Sequence, residues 1–330
     1  MTLSGKTVLV TGASGFLGSA LTLRLATDGA LVKALARRPE KARFLQGQPN
    51  ISIVQGDITD AGQMRAAADG CQVVFHVAAA LGGPLAEQRL TNVDGTRRVM
   101  LAAAAAGVER VVHVSSIAVY GYAVRGDITE DTPQEPGRVP YARTKSEAET
   151  VVQEIGAEYS LPYSIIRPGM IYGPRSGAWT VTMFKVGRRK PTIWFGDGSG
   201  STHPVYVDDV VDLTVLLATH PAAVNEAFNC AADPAPNWRT FIGSYSRMVG
   251  HESWLGIPIL PVRLLAPLID LALGLRNEPQ DVDKLAQFVQ TQRCYKMTKA
   301  RDLLGWQPRV DLATGMKHSE AWLREVGLLQ

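Results

Sequence analysis

The chain has 330 residues, enough for one large α/β domain and a smaller lobe. Its 34 basic and 31 acidic residues are well mixed, and no Lys/Arg cluster with interleaved aromatic residues is present, which excludes a nucleic-acid-binding protein. Three widely separated cysteines without a C-x-x-C pair indicate free thiols in a reducing compartment. No secretory leader precedes the first apolar run, so we expect a cytoplasmic protein.

Short apolar runs alternate with helical patterns over the first half of the chain. The runs predict strands at residues 7–10, 31–36, 51–55, 73–77, 110–115 and 163–166. Helices are predicted at residues 16–28, where Leu17, Leu21 and Leu25 recur at helical spacing, and at residues 99–106. This alternation is typical of βαβ units and predicts an α/β fold with a parallel sheet covered on both faces.

The pattern loosens after residue 170 and predicts a smaller substrate-binding lobe. Loops, prolines and short helical stretches are predicted at residues 179–191, 196–202 and 234–275. We therefore divide the chain into a cofactor-binding domain at residues 1–170, strands returning to it from about 203–230, and a lobe drawn mainly from residues 171–330.

Residues 255–275 are the most apolar stretch of the lobe. A membrane-spanning helix needs about 20 mainly apolar residues, and here Arg263, Asp270 and the prolines 258, 261 and 267 interrupt the run. We predict helices that line the substrate lobe and no integral membrane segment. Association with a membrane surface is the alternative.

A glycine-rich turn follows the first predicted strand. Gly12 permits the tight turn, Gly15 lets the backbone approach a pyrophosphate, and Gly18 lets the next helix pack closely on the strand. The helix N-terminus adds free N–H groups and a partial positive charge. Because the glycines lie between a strand and a helix, they predict a dinucleotide site rather than a turn without a ligand. The expected contacts here are Gly12, Ser14, Gly15, Phe16, Leu17 and Gly18.

The end of the second predicted strand indicates which nicotinamide cofactor binds. An acidic residue there would accept from the ribose 2′-hydroxyl of NAD, but this chain has Arg37 and Arg38, which suit a 2′-phosphate. We predict NADP(H) in preference to NAD(H); the alternative is that both arginines are solvated surface charges. Further cofactor contacts are expected from Asp57, Ile58, Ala78 and Ala79, although Asp57 also suits a turn.

A tyrosine and a lysine four residues apart form the predicted catalytic pair. Tyr141 and Lys145 lie one turn apart on a predicted helix, where a cation lowers the pKa of a phenol that must exchange a proton. Ser116, at the end of a predicted strand, is the expected hydrogen-bond donor to the substrate oxygen. Asn92 is a candidate anchor beneath the site. The spacing alone is common on helices; the glycine turn and the strand-end serine favour chemistry.

These motifs resemble the extended short-chain dehydrogenase/reductases, often called the NAD-dependent epimerase/dehydratase family. The resemblance covers nearly the whole chain through residues 11–18, 57–58, 92–96, 115–116, 141–145, 167–174, 207–210 and 304–308. It implies a Rossmann doubly wound parallel sheet with a smaller C-terminal substrate-binding lobe, and a catalytic set of Ser116, Tyr141 and Lys145. It also implies that Lys145 and Pro168 contact the nicotinamide half of the cofactor, and that the chain forms a homodimer through helices around residues 92–106 and 141–155.

Departures from the family pattern narrow the reaction. The dehydratases carry Asp-Glu where this chain has Ile117 and Ala118, and neither of these can protonate a leaving hydroxyl, so we reject dehydration. Sugar-nucleotide epimerases usually have an arginine where residues 202–206 read Thr-His-Pro-Val-Tyr. Its absence weakens the sugar-nucleotide hypothesis, although Arg188, Arg189 or Lys190 could replace it.

The apolar stretch at residues 255–275, with residues 295–301, is similar to the 3β-hydroxysteroid dehydrogenase-like branch. It implies NADP(H)-dependent interconversion of a secondary alcohol and a ketone or aldehyde on a fairly hydrophobic small molecule; the alternatives are a nucleotide-sugar epimerase with tightly held NAD(P) and a non-enzymatic cofactor sensor. Loops at residues 81–85 and 122–140 are expected to set specificity. We expect no metal site, since His203 has no Cys or His at ligand spacing. The expected substrate contacts are Leu81, Ser116, Tyr141, Gly169, Met170 and Tyr172.

Overall fold

A seven-stranded parallel sheet forms the centre of the computed structural model, which describes residues 2–275 and 282–330. The strands of the described part are β1 (Thr7–Thr11), β2 (Leu31–Ala36), β3 (Ile51–Gln55), β4 (Val73–His76), β5 (Arg110–Val114), β6 (Gly126–Ile128), β7 (Tyr163–Pro168), β8 (Met170–Tyr172), β9 (Thr192–Phe195), β10 (Pro204–Tyr206), β11 (Glu226–Cys230), β12 (Trp254–Ile257) and β13 (Arg293–Tyr295).

The helices cover both faces of this sheet and build the lobe. They are α1 (Phe16–Thr27), α2 (Ala61–Ala68), α3 (Leu85–Arg89), α4 (Gly95–Ala105), α5 (Pro140–Glu158), α6 (Met183–Gly187), α7 (Val207–Thr219), α8 (Trp238–Arg247), α9 (Ile259–Leu275), α10 (Val282–Phe288), α11 (Thr298–Leu304) and α12 (Leu312–Glu325). Short 3₁₀ or π segments lie at Pro39–Leu45, Leu90–Asp94, Ile117–Tyr120, Gly177–Thr182 and Pro221–Ala223.

The strand order is β11-β7-β5-β4-β1-β2-β3, with every pair parallel. The predicted α/β class with a doubly wound parallel sheet is confirmed. The chain reverses its direction across the sheet between β1 and β4, and a crevice forms outside the carboxyl ends of strands at such a point. The predicted site residues near Gly12 and Ala78 follow these two strands.

Alternate residues of the central strands pack into two separate hydrophobic cores. Val8 and Val10 belong to the core that contains α1 and α7, whereas Leu9 belongs to the core that contains α2, α4 and α5. This alternation is the two-residue period of a strand with both faces covered. It explains why these strands read as continuous apolar runs in the sequence.

Only one of the strands in the expected returning segment joins the main sheet. β11 pairs with β7 at the sheet edge, but β10 pairs with β8 in a separate two-stranded sheet. The reason lies at Gly169, whose N–H still donates to Cys230, while the next N–H, that of Met170, donates to His203. The chain therefore leaves the main sheet after Gly169 and begins a new pairing.

A 17-residue helix, α9, replaces the short helices and loops expected near residues 255–275. Pro261 lies in its first turn, where no backbone N–H donor is needed, and Pro267 costs one internal hydrogen bond without ending the helix. None of the helices in residues 2–275 and 282–330 has both the length and the apolar character needed to cross a bilayer. The part of the predicted lobe at residues 276–281 lies outside the described residues.

Candidate functional site

A cavity of about 1350 Å³ opens at the carboxyl edge of the sheet, around the point where the strand order reverses. The residues predicted to contact the cofactor all line it: Gly12, Ser14, Gly15, Phe16, Leu17, Gly18, Arg37, Arg38, Asp57, Ile58, Ala78, Ala79, Lys145 and Pro168. Five of the predicted substrate contacts also line it: Leu81, Ser116, Tyr141, Gly169 and Met170.

Tyr172 is not brought to this cavity. Its side chain is 2% exposed and packs edge-on against Tyr206 and Phe241, and a Cβ on Gly315 would touch its hydroxyl. In β8, successive side chains point to opposite faces, so Met170 and Tyr172 share one face. Met170 nevertheless reaches the cavity, while Tyr172 lies two residues farther along and is enclosed by α8 and α12. Tyr172 is a core residue.

The glycine turn holds the backbone in a form that a side chain would not permit. Gly12 has φ +70°, and a Cβ there would lie 2.8 Å from the backbone nitrogen of Ala78. A Cβ on Gly18 would lie 2.1 Å from the carbonyl oxygen of Gly12. No side chain caps the N-terminus of α1, and its first turn contains no acidic residue. The turn therefore fits a dinucleotide pyrophosphate, whose negative charge suits such a helix end.

Two cations at the end of β2 and a third in the 3₁₀ segment that follows lie where the sequence predicts a 2′-phosphate. Arg37, Arg38 and Lys41 all line the cavity, and Lys41 was not predicted. Its signal in the sequence is weak, because it lies within the 3₁₀ segment rather than at the strand end. Arg37 Nη1 is 3.8 Å from Asp57 Oδ2, a loose and exposed pair that leaves the guanidinium available.

One carboxylate oxygen of Asp57 stabilises a turn, and the other lies toward Arg37. Its Oδ1 accepts from both the backbone N–H and the hydroxyl of Thr59, each at 2.9 Å. Its Oδ2 is the atom nearest Arg37. The turn-forming role considered for Asp57 is thus present in the structure. Its contact with the cofactor stays a prediction.

Asn92 joins the loop after β4 to the helix that carries Tyr141. Its side chain accepts from the Ala80 N–H at 2.7 Å and donates to the Ala80 carbonyl at 3.0 Å and to Thr144 Oγ1 at 3.0 Å. Ala80 lines the cavity and Thr144 lies on α5. The amide therefore fixes the distance between the floor of the cavity and the predicted catalytic helix.

Ser116 and Tyr141 meet at the middle of the cavity. Ser116 ends the loop after β5, and its hydroxyl accepts from the Ala118 N–H at 3.2 Å. Burial raises the pKa of Tyr141 from its ordinary value of about 10, and a hydrogen bond with Ser116 partly opposes the rise. A phenol and a hydroxyl in this contact can both hydrogen-bond to one substrate oxygen.

Lys145, one helical turn from Tyr141, is buried, and its ammonium is hydrogen-bonded at the end of the sheet. Its Nζ donates to the Val114 carbonyl at 2.7 Å and lies 3.3 Å from His113 Nε2. Burial lowers the pKa of Lys145 to about 8, and the charge of Glu149 opposes the shift. The sheet-end carbonyl competes for the ammonium, which helical spacing alone does not reveal.

Two buried histidines lie beneath Lys145. The rings of His76 and His113 are 5.2 Å apart, and His76 bonds Thr11 at 2.8 Å and Thr96 at 2.9 Å. Burial lowers the pKa of His76 to about 3 and that of His113 well below its usual range, with a smaller effect of Lys145 on each. Both rings are therefore neutral near pH 7, and Lys145 faces no second charge there.

A buried ion pair anchors α5 to the sheet. Arg167, on β7, bonds Glu149 of α5 through both Nε at 3.0 Å and Nη2 at 2.7 Å, and both side chains are buried. Arg167 also donates to the hydroxyl of Tyr120 at 2.7 Å, which donates in turn to Asn229. Glu149 lies one turn beyond Lys145, so the anchor sits on the same helix face as the predicted catalytic pair.

Large apolar side chains form the other half of the cavity, and the sequence did not single them out. They come from the lobe and its neighbours and include Tyr122, Trp179, Met183, Trp194, Phe195, Trp238, Leu285, Phe288 and Tyr295. Tyr122 belongs to the loop at residues 122–140 that was predicted to set specificity, and Leu81 and Gly82 to the loop at residues 81–85. The sequence indicated this apolar wall through the apolar composition of the lobe and not through individual residues.

The three cations considered as substitutes for the arginine that sugar-nucleotide epimerases usually carry near residues 202–206 lie outside the cavity. Arg188, Arg189 and Lys190 do not line the cavity, and their side chains are exposed in the turn before β9. His203, buried edge-on against Tyr295 with ring centroids 4.6 Å apart, has no hydrogen-bond partner on either ring nitrogen. Within the described ranges no group of three His, Cys, Asp or Glu side chains is placed to hold a metal.

Comparisons of sequence and of structure with known proteins indicate the same family. The model of the NAD dependent epimerase/dehydratase family matches residues 8–231. The chain is 32% identical to a UDP-glucose 4-epimerase of Mycolicibacterium smegmatis over 96% of this chain and 98% of that protein. It is 29% identical to a 2-alkyl-3-oxoalkanoate reductase of Stenotrophomonas maltophilia over 95% and 98%. A solved epimerase from Methanothermobacter thermautotrophicus superimposes with a TM-score of 0.81 at 25% identity, over 98% of this chain and 93% of that one.

Proposed function

Because the chain belongs to the NAD-dependent epimerase/dehydratase family, we propose that it is an NADP(H)-dependent oxidoreductase for a hydrophobic secondary alcohol and its ketone or aldehyde. The observation that carries this proposal is the composition of the substrate half of the cavity. Its walls are aromatic and aliphatic, and the cations among the lining residues are Arg37, Arg38, Lys41 and Lys145, all in the cofactor half. Among the residues that the structure describes, no positive side chain lines the substrate half for a diphosphate to contact.

The named activity of one relative supports the same substrate class. The 2-alkyl-3-oxoalkanoate reductase, 29% identical over 95% of the chain, is by its name a reductase of an alkyl ketone. Apolar walls of this kind bind such a substrate by removing its surface from water. In this proposal the alkyl part lies among Trp179, Trp194 and Trp238, and the oxygen lies at Ser116 and Tyr141.

Three side chains carry the proposed chemistry. The bound nicotinamide supplies a hydride donor or acceptor. Tyr141 exchanges a proton with the substrate oxygen, and Ser116 donates a hydrogen bond to that oxygen. Lys145 holds the ribose beside the nicotinamide and adds positive charge that favours the ionised phenol. For this last role the ammonium exchanges the Val114 carbonyl for the ribose hydroxyls.

The proposed preference for NADP(H) rests on Arg37 and Arg38 at the end of β2 and on Lys41 in the segment that follows. Arg37→Ala removes a donor suited to a 2′-phosphate, so NADPH binding should weaken about tenfold or more while NADH binding changes little. Arg43→Ala is a matched control, because Arg43 is exposed and does not line the cavity. Fluorescence titration with both reduced cofactors measures the effect, and an unchanged preference in Arg37→Ala would refute the assignment.

A second candidate is a nucleotide-sugar epimerase with tightly held NAD(P). The observation in its favour is the 32% identity to a UDP-glucose 4-epimerase over nearly the whole of both chains. The two candidates differ in cofactor exchange: a dehydrogenase releases its cofactor in each turnover, whereas an epimerase regenerates it in place. Turnover of UDP- or dTDP-sugars, with none of hydrophobic ketones by NADPH, would overturn the first proposal.

We also propose a homodimer in the cytoplasm. The three cysteines are free, as in a reducing compartment. On α4, Leu101 is 39% exposed and available for a helix-to-helix contact with a second copy. Sedimentation should give a dimer that Leu101→Glu dissociates, and a monomer in the unaltered protein would refute the assembly.

A further inference from the structure

The lobe carries a large apolar surface on its outside. On α9 the exposed hydrophobic side chains are Leu260, Leu264, Leu265, Leu268, Ile269 and Leu271. On the small β9–β12 sheet, which leads directly into this helix, they are Ile193, Leu255, Ile257 and Phe195, the last of which also lines the rim of the cavity. Leu255 lies opposite Ile193 and Ile257 opposite Phe195, so these four share one sheet face. We call the helix and sheet residues together the lobe face.

The lobe face is the outer side of a helix whose inner side is already packed. Val262 lines the cavity, and Ala266, one turn further, is 1% exposed. Leu264 lies two residues from Val262, on the opposite side of the helix, and is 72% exposed. Soluble helices place polar residues on their outer side, and an exposed apolar helix face of this kind marks an interaction site.

Positive charge borders the lobe face at the sheet end. Arg188, Arg189 and Lys190 directly precede β9, are exposed, and form no ion pair with any described residue. Glu252, which precedes the paired strand β12, is engaged by Arg247 at 3.4 Å, and Asp283 by Arg263 at 2.6 Å. Asp197 and Asp270 accept from backbone N–H groups. The three cations before β9 are therefore without ion-pair partners among the described residues.

We propose that the lobe face docks on the surface of a bilayer that contains anionic lipid. Leucines enter the apolar boundary of the bilayer while the three cations meet phosphate headgroups, the combination that holds an interfacial helix. A second copy fits less well, because a two-fold dimer through this face would place the same three cations of both copies in one interface. The bilayer offers both an apolar layer and negative charge.

Docking would bring the cavity close to the bilayer. Val262 lines the cavity and Leu264 the lobe face, so a single layer of helix separates them. An apolar substrate would then pass between lipid and cavity without a long path through water. The docking itself is independent of the proposed reaction, since it is measured by binding alone.

Vesicle flotation tests the proposal. The purified full chain is mixed with vesicles of phosphatidylcholine alone, or of phosphatidylcholine and phosphatidylglycerol in equal parts. We expect binding to the anionic vesicles about tenfold stronger than to the neutral ones, and weaker as salt is raised. Failure to float with the anionic vesicles would overturn the proposal, whatever the enzyme activity.

Two sets of variants separate the apolar and the charged contributions. Leu264→Ser with Leu268→Ser should reduce anionic-vesicle binding about tenfold or more, whereas Leu31→Ser with Leu303→Ser, two leucines exposed elsewhere, should not. Arg188→Gln, Arg189→Gln and Lys190→Gln together should remove the preference for anionic lipid. The charge control is Arg43→Gln, Arg65→Gln and Lys317→Gln, three exposed cations away from the lobe face.

Two further measurements complete the test. Reduction of a water-soluble ketone should be equal in the unaltered protein and all four variants, because none of the substituted residues lines the cavity. Sedimentation should show the same oligomeric state in the Leu264/Leu268 variant as in the unaltered protein. If that variant instead dissociates an assembly and the unaltered protein ignores vesicles, the lobe face binds a second copy and the proposal is wrong.

Discussion

The two halves of the cavity are built in different ways. The floor of the cofactor half consists of backbone and small side chains at strand ends, such as Gly12, Gly18 and Ala78, and long cationic side chains lie at its edge. The substrate half consists of large side chains such as Trp194 and Phe288, contributed by elements far apart in the chain. A site made of backbone tolerates few changes, whereas a site made of side chains can be reshaped for another substrate. The difference explains how one fold serves relatives named as epimerases and as reductases.

The largest expected effect lies where the two halves meet. Tyr141→Phe removes the proton-exchanging hydroxyl while leaving the ring, so kcat should fall by about 10²- to 10⁴-fold. NADPH binding should be nearly unchanged, because the ring continues to fill its place. Steady-state kinetics and a cofactor titration measure the two quantities. Turnover at the rate of the unaltered protein would show that another group is the acid/base.

A methyl group in the cofactor half should be costly. In Gly18→Ala the new Cβ would meet the Gly12 carbonyl at 2.1 Å, so we expect a loss of about 1–3 kcal/mol of unfolding free energy. Gly82→Ala is the matched control, since Gly82 lines the cavity but nothing lies within 4 Å of its added Cβ. Urea denaturation of both variants gives the comparison. Equal stability would contradict the rigid cofactor half.

A larger change in the substrate half should weaken binding of the ketone substrate and leave binding of NADPH unchanged. Trp194→Ala removes apolar contact area from the cavity wall, so KM for a hydrophobic ketone should rise about tenfold while NADPH affinity stays constant. Trp322→Ala, a partly buried tryptophan of α12 outside the cavity, serves as the control. If Trp194→Ala weakened NADPH binding as strongly as ketone binding, the two halves would not be separable.

An effect absent at neutral pH concerns acid and the histidines below the cofactor half. The pKa of His76 is about 3 in the folded protein and about 6.5 in an unfolded chain, so between these values only the unfolded chain binds the proton. Stability is complete above about pH 6.5 and falls toward pH 3, by at most about 1.4 kcal/mol per pH unit for this group.

His76→Gln should reduce the steepness of that dependence by the share of one proton, because glutamine does not titrate while His113, whose pKa burial also lowers, still does. His318→Gln, at an exposed histidine of α12, should leave it in place. Unfolding free energies measured from pH 7 to pH 4 test both. The same steepness in His76→Gln as in the unaltered protein would assign the acid sensitivity to other groups.

The sequence predicted the cofactor half of the cavity better than the substrate half. β2 and β3 were predicted with their observed ends, because both are apolar runs bounded by turn residues. The residues of the glycine turn and the strand ends carry local signals and were all brought to the cavity. The aromatic wall was not predicted, since Trp179 and Tyr295 become neighbours of one cavity only through tertiary packing.

Some predictions failed for identifiable physical reasons. Helical spacing predicted a Tyr141–Lys145 pair and gave no sign that the Val114 carbonyl accepts a hydrogen bond from the ammonium. Two prolines argued for broken helices near residue 260, yet the helix accommodates both. Tyr172 was predicted to contact the substrate because it follows Met170 in a family motif. Its ring instead packs against Tyr206 and Phe241 in the core.

The buried pair of Arg167 and Glu149 has a mechanical consequence. A buried ion pair adds little net stability, but separating it is expensive, so it resists any sliding of α5 along the sheet. A shift of α5 by one turn would move Tyr141 by about 5.4 Å. It would also leave the buried carboxylate of Glu149 without its ion-pair partner. The pair thus fixes the helix that carries Tyr141 and Lys145 in one position along the strands.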